Sequence, residues 1–310
     1  MAQTLEQLTR TTTSMQGIRS VVHTMKTLSV INSAPYEHAA SAIEAYHGTV
    51  LEGLHAFLSQ SGPVGVEGKE DDARVIIVFG SDHGLCGNYN EGVAAQVAQH
   101  ITASGTGAVT VLCIGAQMAD ALADQGLAAE KSLSPPASVD GIGRLANLLT
   151  QRLDTIRRDS LPRGLAVSLA YAARGEGGMQ SPRIANLLPL DRALVAEMQS
   201  SPWQSRSLPY FSMRPNDLFL ALIRGHLFAS LFRAAAEALV TENAARMALM
   251  QQAEQSVDDR LLELQSDTRS LRQTEITTEL LDVIIGFEAL KKDKKPKRSA
   301  DRQEDGTMQD

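Results

Sequence analysis

Apolar side chains recur every three or four positions over the first part of the chain, from Leu5 to Phe57. This spacing places apolar groups on one face of an α-helix. Pro35 interrupts the repeat, and a proline inside a helix costs about 3 kcal/mol because it removes a hydrogen bond and crowds the preceding turn. The pattern predicts an N-terminal helix within residues 1–59, with a bend or a restart near Ser33–Pro35.

A second helical stripe occupies residues 215–290, where no proline follows Pro215. At about 1.5 Å per residue, one helix over this range would be more than about 100 Å long. A helix of that length cannot bury its stripe alone, so we expect an antiparallel coiled coil with the N-terminal helix. The expected seam contains Met247, Met250, Val257, Leu261, Leu264 and Leu271.

The middle of the chain, residues 74–211, has a different pattern. Short apolar runs at 75–79, 109–114 and 165–172 alternate with helical stretches near 91–103, 115–125 and 141–158. Strands that alternate with helices indicate βαβ units and a small parallel sheet. The flanking segment 60–73 is rich in Gly, Pro and charge and is typical of a linker. The loop 174–182 has no periodicity, and we expect it to be mobile. The fold class is therefore α/β, with this domain inserted between the two long helices, so that the coiled coil projects from it.

Composition narrows the possible functions. The 310 residues carry a net charge of −7, so the basic surface needed for nucleic acid is absent over most of the chain. The two cysteines, Cys86 and Cys113, show neither metal-ligand spacing nor a disulfide framework. No signal peptide and no apolar run of about 18 residues is visible, which argues against a membrane span. The charged segment 291–310 lacks large apolar groups, and we expect it to be disordered.

The stretch "VIIVFGSDHGLCGNYN", residues 75–90, raises the question of a binding site. Its glycines, Gly80, Gly84 and Gly87, match neither the dinucleotide fingerprint G-x-G-x-x-G nor the P-loop, which ends in Gly-Lys-Ser/Thr. A catalytic Cys86–His83 couple would require a lowered thiol pKa and access to solvent. We interpret Cys86 as a structural residue and the glycines as residues that let the chain turn sharply from strand into helix.

Four separated motifs carry a family resemblance. "SDHGLCGNYN" (81–90) resembles the "SDRGLCGGFN" signature of the γ subunit of F-type ATP synthases, and "ENAARM" (242–247) is similar to that family's C-terminal segment. "RQTEITTEL" (272–280) resembles its "RQAxITxEL" motif, and "TMK" (24–26) lies where the family has "AMK". "NLLPL" (186–190) matches as well, and the likeness covers roughly residues 1–290.

The resemblance implies a coiled coil of N- and C-terminal helices with an inserted Rossmann-like domain that binds no dinucleotide. It has departures. The segment "SVINSAPYEHAA" (29–40) lacks the family's basic run, and His83 and Asn88 replace an arginine and a glycine. The tail past Leu290 also exceeds the usual end of the family. These differences are compatible with a divergent variant encoded by an alternative operon.

The resemblance further implies a central rotor shaft without catalytic residues, metal or cofactor of its own. It implies α and β subunits of a catalytic hexamer, an ε subunit and a membrane c-ring as partners, at the cytoplasmic face of the bacterial inner membrane. Residues 284–290 would form the shaft tip in an apolar bearing. Residues carried over as contacts to β loops are Met25, Lys26, Arg246, Arg272, Gln273, Thr277 and Glu279. Two other readings stay open: a nucleotide-binding α/β enzyme with a coiled-coil arm, and a plain coiled-coil tether.

Overall fold

A computed structural model describes residues 4–61, 72–105, 108–175, 180–203, 206–207 and 209–293. Six helices and five strands are present in these ranges. The helices are α1 (Leu5–Ser61), α2 (Tyr89–Ala103), α3 (Ala116–Asp124), α4 (Val139–Asp159), α5 (Arg192–Ser200) and α6 (Pro215–Asp293). The strands are β1 (Ala73–Phe79), β2 (Val109–Ile114), β3 (Lys131–Leu133), β4 (Leu165–Arg174) and β5 (Gln180–Leu188).

The chain divides into two compact units, and both divisions fall inside the long helices. The terminal unit comprises Met1–Val21 and Glu254–Asp310, and the central unit comprises Val22–Ala253. In the central unit, Tyr46 packs edge-on against Phe228, and Phe57 stacks on Phe219. The α1 numbers rise as the α6 numbers fall, so the two helices are antiparallel, as the sequence predicts.

The five strands form one mixed sheet in the order β3-β2-β1-β4-β5. The first four strands in this order pair in parallel, and β5 pairs antiparallel to β4. Residues 75–79 are buried on both faces, which explains the unbroken apolar run of β1.

Two apolar layers cover the sheet. One face packs on α4 and on a buried section of α6, with Leu149, Leu153 and Leu231 at its centre. The other face packs on α2 and α3, where Met118 and Leu122 are fully buried. The α/β domain therefore shares its core with α6, which closes the first layer.

Most sequence predictions of elements are confirmed, and several need correction. The sheet is not wholly parallel, because β5 is antiparallel and joins β4 in a hairpin. The irregular sequence of residues 180–182 hid the start of β5, whereas 176–179 lie outside the described residues, so mobility there stays a prediction. The short strand β3 and helix α5 were also missed. Residues 62–71 of the linker and 294–310 of the tail likewise lie outside the described residues, while α6 continues to Asp293.

Of the bend or restart predicted near Pro35, the restart is wrong, because α1 is a single helix through that residue, and a bend stays a prediction. Tyr36 and Ala39 are both buried next to it. Their packing on the rest of the central unit fixes the helical path, and tertiary packing of this kind outweighs a local propensity cost of about 3 kcal/mol.

One helix, α6, is long and apolar enough by length and composition to cross a membrane, over Pro215–Glu288. A third of the most apolar window, 33%, is buried inside the fold. Core helices of soluble proteins have the same composition, so this feature is weak evidence for a membrane span.

Candidate functional site

The glycine loop, residues 80–90, connects β1 to α2, and its glycines have different roles. A Cβ on Gly80 would lie 2.5 Å from Met118 Cβ and 2.7 Å from Asn90 Oδ1, so only glycine fits there. Gly87 has φ +66°, which other residues adopt only with strain. Around Gly84 no heavy atom lies within 4 Å of an added Cβ. Two of the three glycines are thus explained by backbone packing and conformation.

Cys86 is buried in the same loop, with 5% of its surface exposed. Burial raises the pKa of its thiol, which keeps the sulfur protonated and a poor nucleophile. Its Sγ lies 3.8 Å from the backbone carbonyl oxygen of His83, and it also lies 3.6 Å from Ser81 Oγ. The environment of Cys86 is that of a packed structural thiol.

Polar side chains inside the loop hold it in one conformation. Asn90 accepts a hydrogen bond from the Ser81 backbone N–H at 3.0 Å and donates to Ser81 Oγ at 2.8 Å. Asp82 accepts from the Ala116 N–H at 2.8 Å, at the first residue of α3. These bonds connect the loop to itself and to the start of α3.

The loop and β4 are tied to α6 by two buried hydroxyl groups. Tyr89 donates to the Ala238 carbonyl oxygen at 2.8 Å, and its Oη lies 3.3 Å from Thr241 Oγ1. Thr241 Oγ1 lies 2.9 Å from the Ala172 carbonyl oxygen on β4. Desolvation at this place raises the pKa of Tyr89 well above its ordinary value, so the hydroxyl stays protonated and remains a donor.

Arg246 lies at the same junction, one helical turn after Glu242 on α6. Its Nη2 donates to Glu242 Oε1 at 2.6 Å and to the His83 carbonyl oxygen at 3.4 Å. The Arg246 and Glu242 side chains are only 13% and 10% exposed. Burial raises the pKa of Glu242, while the hydrogen bond and positive charge of Arg246 act in the opposite direction. Arg246 is thus largely held within the chain, and its contact to a β loop stays a prediction.

The other predicted contact residues fall into two groups. Met25 and Lys26 are half-buried on α1 in the central unit. Arg272, Gln273, Thr277 and Glu279 are exposed on α6 in the terminal unit. Thr277 Oγ1 donates to the Gln273 carbonyl oxygen at 2.8 Å, so this hydroxyl can accept a bond from a partner without losing its own donation.

The last part of α6 extends beyond α1. In the terminal unit, Arg19 forms an ion pair with Asp258 at 2.5 Å. Since the helices are antiparallel and rise equally per residue, α1 begins level with about position 272, so roughly twenty residues of α6 have no α1 beside them.

That extension carries a broad apolar surface alongside exposed polar residues. Eight of its large apolar side chains are more than half exposed: Ile276, Leu280, Leu281, Val283, Ile284, Ile285, Phe287 and Leu290. By contrast, Leu261 and Leu264 are buried in the paired part of the terminal unit. A contiguous exposed apolar surface of this kind marks a binding surface for another molecule.

A cavity of about 710 Å³ lies at the sheet, lined by Arg74, His100, Ser168 and Arg192 among others. Arg74 is at the amino end of β1, whereas the glycine loop follows the carboxyl end. Nucleotides bind doubly wound sheets outside the carboxyl ends of the strands. The cavity therefore lies at the wrong end of the sheet to form a nucleotide site with the glycine loop. In the described parts of the chain, no cluster of His, Cys, Asp or Glu could hold a metal ion.

Two side-chain pairs of the structure were not predicted from the sequence: Glu242 with Arg246, and His47 with His226. The sequence predicts Glu242 only as part of the "ENAARM" motif, although an acid four residues before an arginine on a helix is a recognisable ion-pair signal. The pair of half-buried His47 and buried His226, joined by a 3.0 Å hydrogen bond between α1 and α6, has no such signal.

Comparisons with known proteins agree with the motifs. A sequence profile described as ATP synthase matches residues 4–290. An ATP synthase gamma chain of Granulibacter bethesdensis is 26% identical, covering 90% of this chain and 96% of that protein. One of Lachnoclostridium phytofermentans is 25% identical, covering 89% and 96%. A chain in the Euglena gracilis mitochondrial ATP synthase structure (OSCP/F1/c-ring, rotational state 3) covers 96% of this chain and 98% of its own length, with a TM-score of 0.63 and 12% identity, and so shares the fold.

Proposed function

This chain belongs to the ATP synthase family, as a gamma chain, and we propose that it turns as the central rotor shaft inside a ring of catalytic subunits. The observation that carries the proposal is the free end of α6, whose apolar side chains extend past α1 without a partner in the described chain. A surface that would otherwise be exposed to water is explained if a surrounding sleeve of protein covers it.

The proposed coupling mechanism depends on the asymmetry of the shaft. A shaft of two paired helices offers a different set of side chains to each surrounding subunit. Each set stabilises one conformation of its neighbour by differential contact energy, and turning the shaft passes that preference to the next subunit. The shaft performs no covalent chemistry in this scheme, and nucleotide sites belong to the β subunits.

Exposed polar residues near the free end would provide the angle-dependent contacts. Gln273 and Thr277 are four residues apart and share one helix face. Arg272 and Glu279 add charge of both signs, and Arg272 could donate charge-assisted hydrogen bonds to an acidic loop. Met25 and Lys26 would contribute from α1, in the central unit.

The proposal also assigns the setting. The partners are the α and β subunits of the hexamer, an ε subunit and the c-ring, with the complex at the cytoplasmic face of the bacterial inner membrane. The gamma-chain relatives and the fold neighbour support a place in a membrane-associated ATP synthase complex. The rival nucleotide-binding enzyme lacks support from the glycine loop, whose spacing matches neither the dinucleotide fingerprint nor the P-loop.

The test is to replace Gln273 and Thr277 with Ala together, in the complex reconstituted into vesicles. Each lost hydrogen bond is worth about 0.5–1.5 kcal/mol. Coupled ATP synthesis or pumping should fall roughly five-fold or more, because about 1.4 kcal/mol corresponds to a factor of ten in rate. Helix content and assembly should stay unchanged, since Ala is the better helix former.

The matched control is Gln252→Ala with Ser256→Ala, which removes a similar exposed pair at the same spacing from another part of α6. It should leave coupling intact. Wild-type coupling in the Gln273/Thr277 double variant would show that the transferred contact residues are wrong. A wild-type chain that neither assembles with α and β subunits nor supports coupling would refute the rotor function itself.

A further inference from the structure

The cavity of about 710 Å³ lies on the α2 face of the sheet, at the amino end of β1. Side chains alternate between the two faces of a strand, so Arg74 lies on the same face as Ile76, which packs with the apolar side chains of α2 and α3. The same alternation places Ser168 of β4 and Asn186 of β5 on that face. Three adjacent strands therefore turn polar side chains toward one cavity.

The charged side chains around this cavity are mostly positive. Among the described lining residues, three arginines from β1, β5 and α5 face a single carboxylate: Arg74, Arg183, Arg192 and Asp191. Asp191 Oδ1 accepts a hydrogen bond from the Ala193 N–H at 2.9 Å, so this carboxylate caps the start of α5. In a chain with a net charge of −7, the cavity is thus a local concentration of positive charge.

Arg74 is half-buried in the cavity wall, and little of its hydrogen-bonding capacity is used. Its Nη1 donates to the Ser104 carbonyl oxygen, at the end of α2, at 3.2 Å. A guanidinium has five N–H donors, so most donors of Arg74 have no partner within the described chain. Capping the negative end of α2 explains its one bond but leaves the remaining donors without a role.

The neighbouring polar groups also offer donors. Ser168 Oγ donates to Asn186 Oδ1 at 3.1 Å, so the amide oxygen is used and the NH₂ group is left for a ligand. Burial, and after it the positive charge of Arg74, lower the pKa of His100, so its ring is neutral near pH 7 and has one N–H to donate. Donors that surround a positive potential select an anion with several oxygens.

The volume and the lining narrow the class of this anion. A cavity of about 710 Å³ is in the range of ligand pockets, roughly 300–1,000 Å³, and is far larger than one phosphate group. No Phe, Tyr or Trp is among the described residues that line it, so a nucleotide base would find no ring on which to stack. The lining thus suits a chain of phosphate groups better than it suits a nucleotide.

We propose that this cavity binds a small multivalent phosphate anion without a base, of the size of pyrophosphate. Arg74 and Arg192 donate charge-assisted hydrogen bonds to its oxygens, and the Asn186 amide and the His100 ring complete the shell. The inference is independent of the rotor function, because the ligand binds the α/β domain and requires no partner subunit.

Calorimetry of the full chain with pyrophosphate, at low ionic strength, is the first test. The wild type should bind at a single site with a Kd on the order of 100 µM. Arg74→Gln and Arg192→Gln should each weaken binding by about ten-fold or more, because each removes charge-assisted hydrogen bonds. The matched control, Arg144→Gln, removes an equal charge from an exposed position of α4, on the opposite face of the sheet, and should bind as the wild type does.

NMR of the histidine rings locates the bound anion. Pyrophosphate should shift the ring resonances of His100, which lines the cavity, and leave those of exposed His38 on α1 unchanged. At the same concentration, Arg74→Gln should abolish most of the His100 shift. Arg192→Gln, at an exposed position of α5, keeps the test valid if Arg74→Gln disturbs the folding of β1.

Four results would overturn the proposal. The first is a wild-type Kd weaker than about 10 mM. The second is an equal loss of binding in Arg144→Gln and Arg74→Gln, which would indicate general charge attraction. The third is binding without a shift of His100, which would place the anion elsewhere. The fourth is ATP binding more than ten-fold tighter than pyrophosphate, which would show that the base is recognised. None of these results bears on coupling in vesicles, so the rotor function is tested separately.

Discussion

Substituting Ala for each of the three loop glycines tests whether the loop is a scaffold or a ligand site. Gly80→Ala places a methyl group 2.5 Å from Met118 Cβ and 2.7 Å from Asn90 Oδ1. Met118 is fully buried, and Asn90 is held by its bonds to Ser81, so neither can move without further loss. Overpacking of this kind typically costs about 1–3 kcal/mol, and we expect the upper end of that range.

The other two glycines provide graded comparisons. Gly87→Ala forces a side chain into the left-handed region at φ +66°, at a cost of about 1–2 kcal/mol. Part of this cost is offset, because Ala has less conformational freedom than Gly in the unfolded chain, which by itself would stabilise by about 0.4–1 kcal/mol. Gly84→Ala meets no atom within 4 Å and should be neutral or slightly stabilising.

Urea unfolding of the full chain, followed by Trp203 fluorescence, measures these differences, because Trp203 and the loop both lie in the central unit. The expected order of destabilisation is Gly80→Ala, then Gly87→Ala, then Gly84→Ala. If the loop bound phosphate, Gly84→Ala and Gly87→Ala would instead weaken ligand binding, whatever their effect on packing. Equal effects at Gly80 and Gly84 would refute the packing argument.

Leu261→Ala and Leu264→Ala should each lower the stability of the paired α1 and α6 segments of the terminal unit by about 2–5 kcal/mol in thermal unfolding. The exposed control Leu262→Ala should not, and equal effects of all three variants would show that the seam lies on another face of α6. Burial lowers the pKa of His226 to about 4, so its unfolded state binds more protons below pH 6.5, and stability should fall by about 3 kcal/mol as pH drops from 6.5 to 4. His226→Gln should flatten that slope, and an unchanged pH profile would contradict the assignment. Calorimetry should detect no micromolar binding of NAD or ATP to the isolated chain, and competable binding would favour the enzyme reading.

Local patterns predicted the long helices, the three buried strands and the inserted domain, because periodicity reports which faces are buried. They could not reveal β5, whose exposed and mixed residues depend on pairing with β4 rather than on an apolar stripe. Nor could they decide Pro35, since the helix there is held by distant packing of Tyr36.

For the candidate site, too, the sequence predicted the residues but not their surroundings. Motifs supplied Arg246, Gln273 and Thr277 as contact residues, but not their environments. Only the fold shows that Arg246 is held by Glu242 while Gln273 is exposed, because burial depends on which elements lie alongside. The His47–His226 pair joins residues far apart in sequence, and no spacing rule connects them.

Single-molecule rotation tests the central claim most directly. Gln96→Cys places one reactive thiol on the exposed face of α2, since Cys86 and Cys113 are both buried. A bead attached there, with the α and β subunits fixed to a surface, should turn in one direction through full revolutions when ATP is added, and should stop when ATP is removed. A bead that stays fixed while the complex hydrolyses ATP would contradict the rotor function.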